Sequence, residues 1–282
     1  MGAKLFAWLQ WLLPQHGMSR LVGWLALIEQ RAVKNALIRG FMLLFKVDMS
    51  EAVEPDPTAY PTFNQFFTRA LKPGARSMPA EPAALACPVD GKVSACTQLD
   101  DGSLLQAKGF RYDLARVMGG ETPALLRGGS FATIYLAPYN YHRIHAPADA
   151  RLVEMRYLPG KLFSVNGATV SAVPRLFARN ERVACLFETP FGPMGMVLVG
   201  ALNVGSIETT WAGQVAPGPD RQAAVWRYPD SGPGSVNFAR GEELGRFNMG
   251  STVIVILPEH GPRFAPAITA GNAVRLGQLL AH

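Results

Sequence analysis

"GRFNMGSTVIVIL", Gly245–Leu257, sets a Gly-Ser-Thr triplet at the mouth of a strongly β-forming run. Val, Ile and Thr dominate from Thr252 onward, and such β-branched side chains suit a pleated, packed surface. "FATIYLAP" (Phe131–Pro138) and "MGMVLVGALNVGSI" (Met194–Ile207) have the same character and are separated by Gly and Pro clusters. The chain therefore reads as β-rich, with helices secondary. There is no internal repeat and no strand–helix alternation of the doubly wound kind. The Gly-rich pieces match neither a P-loop nor a dinucleotide fingerprint, so nucleotide binding has no positive support.

Working outward, 282 residues at 49% hydrophobic and 17% charged suffice for one large domain or two modest ones around a packed core. The net charge of +6 is uneven: residues 1–48 hold Lys4, Arg20, Arg31, Lys34, Arg39 and Lys46 against Glu29 and Asp48. Nucleic acid, an anionic membrane surface and plain solubility are all served by such a balance, so its distribution decides. Cys87, Cys96 and Cys185 have no CxxC spacing and an odd count. That argues against a disulfide framework and a cysteine-rich zinc site, and for a reducing compartment.

"KLFAWLQWLLPQHG", "SRLVGWLALIEQ" and "NALIRGFMLLFKV" carry apolar residues at helical spacing: Leu5, Trp8, Leu9, Leu12; Leu21, Leu25, Ile28; Leu37, Phe41, Leu44. Gln10, Pro14, Arg20, Glu29, Arg31 and Arg39 break the run short of the roughly 20 apolar residues of a spanning helix. Gln10 and Pro14 also interrupt a signal-peptide reading, and no A-x-A-like cleavage site follows. Two readings stay open: helices that cap a soluble core, or helices that lie on a membrane, with Trp8, Trp11 and Trp24 among basic residues. "EAVEPDPTAYPTF", with Pro55, Pro57 and Pro61, reads as a linker into the main domain. The expected division is 1–48, 49–62 and 63–282.

Three polar constellations remain. "CPVDGKV" places Asp90 in a turn, where an aspartate that caps its own backbone is the ordinary explanation. "YNYHRIHAP" places His142 and His145 three apart; a helical turn or loop aims both rings into one pocket, whereas a flat strand sends them to opposite faces. Gly250-Ser251-Thr252 would be a plain loop if it stood alone. Together the three supply an acid, a base and a nucleophile. Gly250 has no Cβ, which leaves its carbonyl carbon open to a neighbouring hydroxyl.

At these residues the sequence resembles phosphatidylserine decarboxylases of the bacterial membrane-associated type. "FNQFFTRALKPGAR" (Phe63–Arg76), "CPVDGKV" (Cys87–Val93), "YHRIHAP" (Tyr141–Pro147), "PGKLFSVN" (Pro159–Asn166), "LFARNERV" (Leu176–Val183), "VGALNVGSIETTWAG" (Val199–Gly213) and "GEELGRFNMGST" (Gly241–Thr252) resemble family segments in the family's order. Met249 stands where the family usually has Leu, a volume-conserving change. Asn140 stands where the family often has Asp, which questions a carboxylate's part in orienting His142.

The resemblance implies an α+β fold: a β-rich catalytic core of mainly antiparallel sheets with N-terminal amphipathic membrane-associating helices. It implies self-cleavage between Gly250 and Ser251 into a large chain, 1–250, and a small chain, 251–282. Ser251 would attack the Gly250 carbonyl, with His145 as base and Asp90 holding the imidazole. Ser251 would end as a covalent pyruvoyl group, the cofactor, which forms a Schiff base with phosphatidylserine and yields phosphatidylethanolamine and CO2. His142 would reprotonate the α-carbon, its ring one turn from His145 and its pKa near the working pH; the two histidines' roles could be exchanged. Implied partners are the lipid substrate, an anionic membrane surface at the cytoplasmic face of the inner membrane, and the other half of the cut chain, with a homodimer of these pairs left open. No metal and no nucleic acid are implied. The rival readings are a Ser-His-Asp lipid hydrolase with an uncut Ser251, which lacks a G-x-S-x-G elbow; a non-enzymatic membrane-bound module of lipoyl-like hybrid fold; and a zinc peptidase, for which no third ligand is spaced near the histidines.

Overall fold

The three β-forming runs become neighbours in one nine-stranded sheet. Ser251–Leu257 lies inside it, antiparallel to Ser130–Leu136 on one side and to Gly192–Val199 on the other. The structure is a computed structural model that describes residues 10–106, 110–202, 206–218, 220–249 and 251–282, with Leu105 and Ser251 described by their backbone. Leu5, Trp8 and Leu9 of the first helical stripe, and Gly250 of the expected cleavage site, lie outside the described residues.

Alternation along the central strand decides which core each side chain joins, because successive Cβ atoms point to opposite faces. Val253, Val255 and Leu257 pack with Val93, Leu136, Phe187 and Phe247. Ile254 and Ile256 pack on the other face with Leu104, Phe131, Phe163 and Phe177. All five are fully buried, a gross burial gain on the order of 10 kcal/mol before chain entropy is set against it. Beyond Ser130–Leu136 the sheet continues to Gly91–Gln98; beyond Gly192–Val199 it continues to Arg182–Thr189 and Ala150–Leu158.

A second, four-stranded sheet runs in the order Gly213–Ala216, Ser206–Thr209, Glu243–Asn248, Arg143–His145. The ladders of both sheets are antiparallel. With the flanking helices this is the expected β-rich α+β architecture. Glu243–Asn248 belongs to the second sheet and Ser251–Leu257 to the first, so the chain has changed sheets between Asn248 and Ser251. Residues after Ser251 are held at three further places: Ala273–Val274 pairs Gly91–Lys92, Leu279–Ala281 pairs Leu85–Ala86, and Phe264 bridges Ala281.

The N-terminal helices are α1, Gln15–Ala26, and α2, Arg31–Leu44. They lean on α3, Phe63–Phe67, through a small aromatic cluster of Ile38, Tyr60, Phe63, Phe66 and Phe67. The apolar stripes are only partly used. Ile38 is fully buried, but Leu21, Leu27, Leu43 and Leu44 are exposed, because no second layer among the described residues covers that side. Gln10 and Gln15, which interrupt the apolar run in the sequence, turn out to be buried ties: Gln10 Oε1 accepts from Ser164 N and Gln15 Oε1 from Leu162 N, each at 2.8 Å. No helix among the described residues is long and apolar enough to cross a membrane. Residues 49–62 pack against the core: Ala52 bridges Leu71, Tyr60 is buried, and the Thr62 side chain caps α3 at Gln65 N.

Candidate active site

Asp90 heads the strand Gly91–Gln98. Gly91 lets the strands close up there, since a Cβ would stand 2.5 Å from the Tyr135 carbonyl oxygen. The Asp90 carboxylate accepts from Arg76 Nη2 at 2.7 Å and from Leu276 N at 2.8 Å. Arg76 in turn reaches Glu51 at 2.9 Å. The expected hydrogen bond from His145 to Asp90 is therefore corrected: the carboxylate is occupied by a guanidinium and a backbone amide, and its link to the imidazole is through space.

His145 lies in the strand Arg143–His145, which pairs with Glu243–Asn248. Its Nδ1 is 2.8 Å from the Gly241 carbonyl oxygen. A carbonyl can only accept, so in the neutral ring Nδ1 carries the hydrogen and Nε2 has the lone pair. That lone pair accepts from the Tyr141 hydroxyl at 2.9 Å, and the two rings stack at an interplanar angle of 28°. Burial lowers the His145 pKa, against a smaller raising effect of the Gly241 bond and of Glu243. The base form is thus the resting form.

His142 precedes the same strand, and the expectation of two rings one helical turn apart is corrected accordingly: the three-residue step runs into extended backbone. The rings consequently have different neighbours. His142 packs on Phe67 with ring centroids 4.0 Å apart and is fully buried. Its Nδ1 donates to the Asn140 carbonyl oxygen at 2.8 Å, while Nε2 is buried without a hydrogen-bond partner among the described residues. Burial pushes its pKa down to about 3, so the expectation of a value near the working pH is also corrected for the uncut chain. Asn140 orients His142 by its backbone, and its side-chain oxygen accepts from Ala137 N at 2.7 Å. An aspartate would make the same turn, so neither contact depends on a carboxylate.

Ser251 stands opposite Leu136, and Thr252 pairs on both sides, with Tyr135 and Val199. Upstream, the Asn248 amide donates to Ser206 Oγ at 2.6 Å, and Asn248 Oδ1 accepts from Asn64 of α3 at 3.0 Å. Between these anchors Met249 has φ of 85°, a left-handed backbone that costs a non-glycine residue on the order of 1–3 kcal/mol. Its side chain packs against the aromatic cluster of α3.

Sequence reasoning did not single out Tyr141, Arg76, Gly241 or Asn248. Their only signal was membership in segments quoted for the resemblance. A contact through a backbone carbonyl, as at Gly241, leaves no mark on residue type at all.

With this geometry in view, comparison with known proteins gives one answer. The family model described as Phosphatidylserine decarboxylase matches residues 63–282, and a second, described as PSD, matches residues 5–46. A phosphatidylserine decarboxylase proenzyme of Marinobacter nauticus is 52% identical over 278 residues, covering 98% of this chain and 96% of that protein. Proteins of the same name from Pseudomonas putida strain GB-1 and Methylococcus capsulatus are each 50% identical, over 100% and 97% of this chain and 99% and 95% of theirs. The chain belongs to the phosphatidylserine decarboxylase family.

Proposed function

We propose that this chain, a phosphatidylserine decarboxylase, cuts itself between Gly250 and Ser251 and then converts phosphatidylserine to phosphatidylethanolamine and CO2. The observation that carries the reading is the change of sheet at that step. The residues just before the step, Glu243–Met249, are held by the four-stranded sheet and α3, and Ser251–Leu257 by the nine-stranded sheet. A cut there leaves both new ends anchored, and the strained Met249 backbone is relieved by it.

In this reading His145 Nε2 takes the Ser251 hydroxyl proton once the Tyr141 hydroxyl turns away. The serine oxygen bonds to the Gly250 carbonyl carbon and the peptide C–N bond breaks, with the proton returned to nitrogen. Loss of the Ser251 α-proton then expels the Gly250 carboxylate and leaves a dehydroalanine, which takes up water and releases ammonia. Asp90 supports His145 by its field, from a site fixed by Arg76 and Leu276 N. The pyruvoyl group that Ser251 becomes supplies the electron sink that loss of CO2 requires. The site suits it, because the backbone of residues 251 and 252 is already held by Leu136, Tyr135 and Val199. His142 holds the proton for the α-carbon at Nε2, the buried atom that the protein leaves unpartnered. A carboxylate or carbanion beside that ring would raise its proton affinity from the low value of the uncut chain.

The exposed Leu21, Trp24, Leu27, Leu43 and Leu44 of α1 and α2 rest on the bilayer. The enzyme is thus peripheral at the cytoplasmic face of the inner membrane, as a heterodimer of its own two chains. Intact mass under denaturing conditions tests the reading: species of residues 1–250 and 251–282, the latter with a blocked N-terminus, are expected. A single uncut species inert toward labelled phosphatidylserine would overturn it.

A further inference from the structure

A cavity of about 340 Å³ opens between the chain just after α2, the head of the strand Gly91–Gln98 and the turn before His142. Its charged lining is cationic in excess, with Lys46, Arg69, Arg76, Lys92 and Arg275 against Asp48, Glu51 and Asp90. These charges do not cancel evenly. Arg76 is committed to Asp90 and Glu51, and Arg275 to Glu51. Asp48 is exposed, and its carboxylate caps Ser50 N at 2.8 Å.

Arg69 is the exception. It is only 5% exposed, yet no carboxylate lies within ion-pair reach of it among the described residues. Nη2 donates to the Tyr139 carbonyl oxygen at 3.2 Å, and Nε is buried with no partner. A guanidinium stays protonated in proteins, and a buried charge without a counterion is costly. The cavity beside it is where a counterion fits.

The location says which anion. Lys46, at the rim, lies two residues beyond Leu44, the exposed apolar end of α2. Tyr141 forms part of the wall, and its hydroxyl is the one bonded to His145. Arg69 comes two residues after Phe67, whose ring packs at a tilt against that of His142. A group entering from the lipid-facing helix ends would find Arg69 and Tyr141, the partner of His145, in the same wall.

We propose that this cavity is a phosphate subsite in which the Arg69 guanidinium takes the phosphodiester oxygens of the lipid headgroup, with Lys46 and Lys92 adding positive field at the rim. The inference rests on the decarboxylase reading and adds to it the residue that fixes where the headgroup stops. A planar guanidinium suits two oxygens of one phosphate, which an ammonium cannot match.

The test is steady-state kinetics of processed wild type and Arg69→Gln on phosphatidylserine in mixed micelles, beside thermal shift of wild type with glycerophosphoserine, inorganic phosphate and free serine. Arg69→Gln is expected to raise KM roughly tenfold with kcat changed less than about twofold, the loss of one charge-assisted contact. Arg69→Lys should recover part of it. Lys46→Gln should raise KM by roughly two- to threefold at low salt and not at high salt. Glycerophosphoserine should protect wild type, and serine should not. An unchanged KM in Arg69→Gln overturns the proposal. So does equal protection by inorganic phosphate, which would mark a free-phosphate site. Should Arg69→Gln fail to process, the wild-type thermal shift and Lys46→Gln decide, and absence of protection counts against the subsite. Failure of the decarboxylase reading looks different: wild type would turn over no phosphatidylserine, while the thermal shift would still report on the cavity.

Discussion

The α1–α2 helices and the strand Ser251–Leu257 are similarly apolar in sequence and opposite in outcome. In the strand, Val253 to Leu257 are all fully buried, whereas in the helices Leu43 is 88% and Leu44 80% exposed. The strand has a neighbour on each edge and a core on each face. The helices have one small aromatic cluster beneath them and, among the described residues, nothing opposite. Contiguous exposed apolar surface of that kind marks an interaction face, so the difference separates the part we propose meets lipid from the part we propose does the chemistry.

The sharpest way to break the comparison is at the head of the strand. Ser251→Ala should abolish self-cleavage and decarboxylation entirely while vesicle binding and melting temperature stay near wild type, as intact mass, activity assay, flotation and calorimetry would show. Loss of vesicle binding in that variant would mean that the two regions are not separable. Next, Ile254→Ala should destabilise the fold by about 3 kcal/mol through the cavity it leaves. Leu43→Ala should change stability by less than about 0.5 kcal/mol. Urea unfolding of both in the uncut Ser251→Ala background measures the contrast, and equal losses would dissolve it.

His142 adds a pH dimension to the buried side. Its folded pKa, about 3, is below the ordinary 6.5, so the unfolded chain takes a proton that the folded chain refuses. Stability is therefore present above pH 6.5 and is lost as pH falls toward 3, by about 2 kcal/mol at pH 5. Urea midpoints at pH 7.5 and 5.0 should converge in a His142→Gln variant of the uncut background. A slope that His142→Gln leaves unaltered would assign the acid sensitivity elsewhere. The lipid face has its own readout: Leu44→Ser should weaken binding to anionic vesicles roughly tenfold with no change in self-cleavage.

Much of this was legible before any coordinates. Val, Ile and Thr density announced the strands, because β-branched side chains fit a pleated surface whatever their partners. Asp90, His142, His145 and Ser251 stood out as a reactive inventory. What failed were statements about contact. Asp90 was expected on the imidazole, yet it lies with Arg76, fourteen residues upstream, and Leu276, far downstream. The His142–His145 spacing was read as a turn, but pairing with Glu243–Asn248 draws His145 into a strand. Gln10 was read as an interruption and is an anchor instead, because a buried amide is acceptable where a distant backbone amide meets it.

Composition and local pattern by themselves determined that the chain is β-rich, that its first segment is amphipathic without spanning, and which residue types are available for chemistry. Those properties are local, set by propensity and periodicity over a few residues. Only the tertiary structure decided that Asn248 and Ser251 lie in two different sheets, that one imidazole is bonded to Tyr141 while the other is sealed against Phe67, and that Arg69 lies buried with no counterion among the described residues. Each of these depends on which distant segments come to lie side by side, and on the loss of water at that place, neither of which any window of sequence contains.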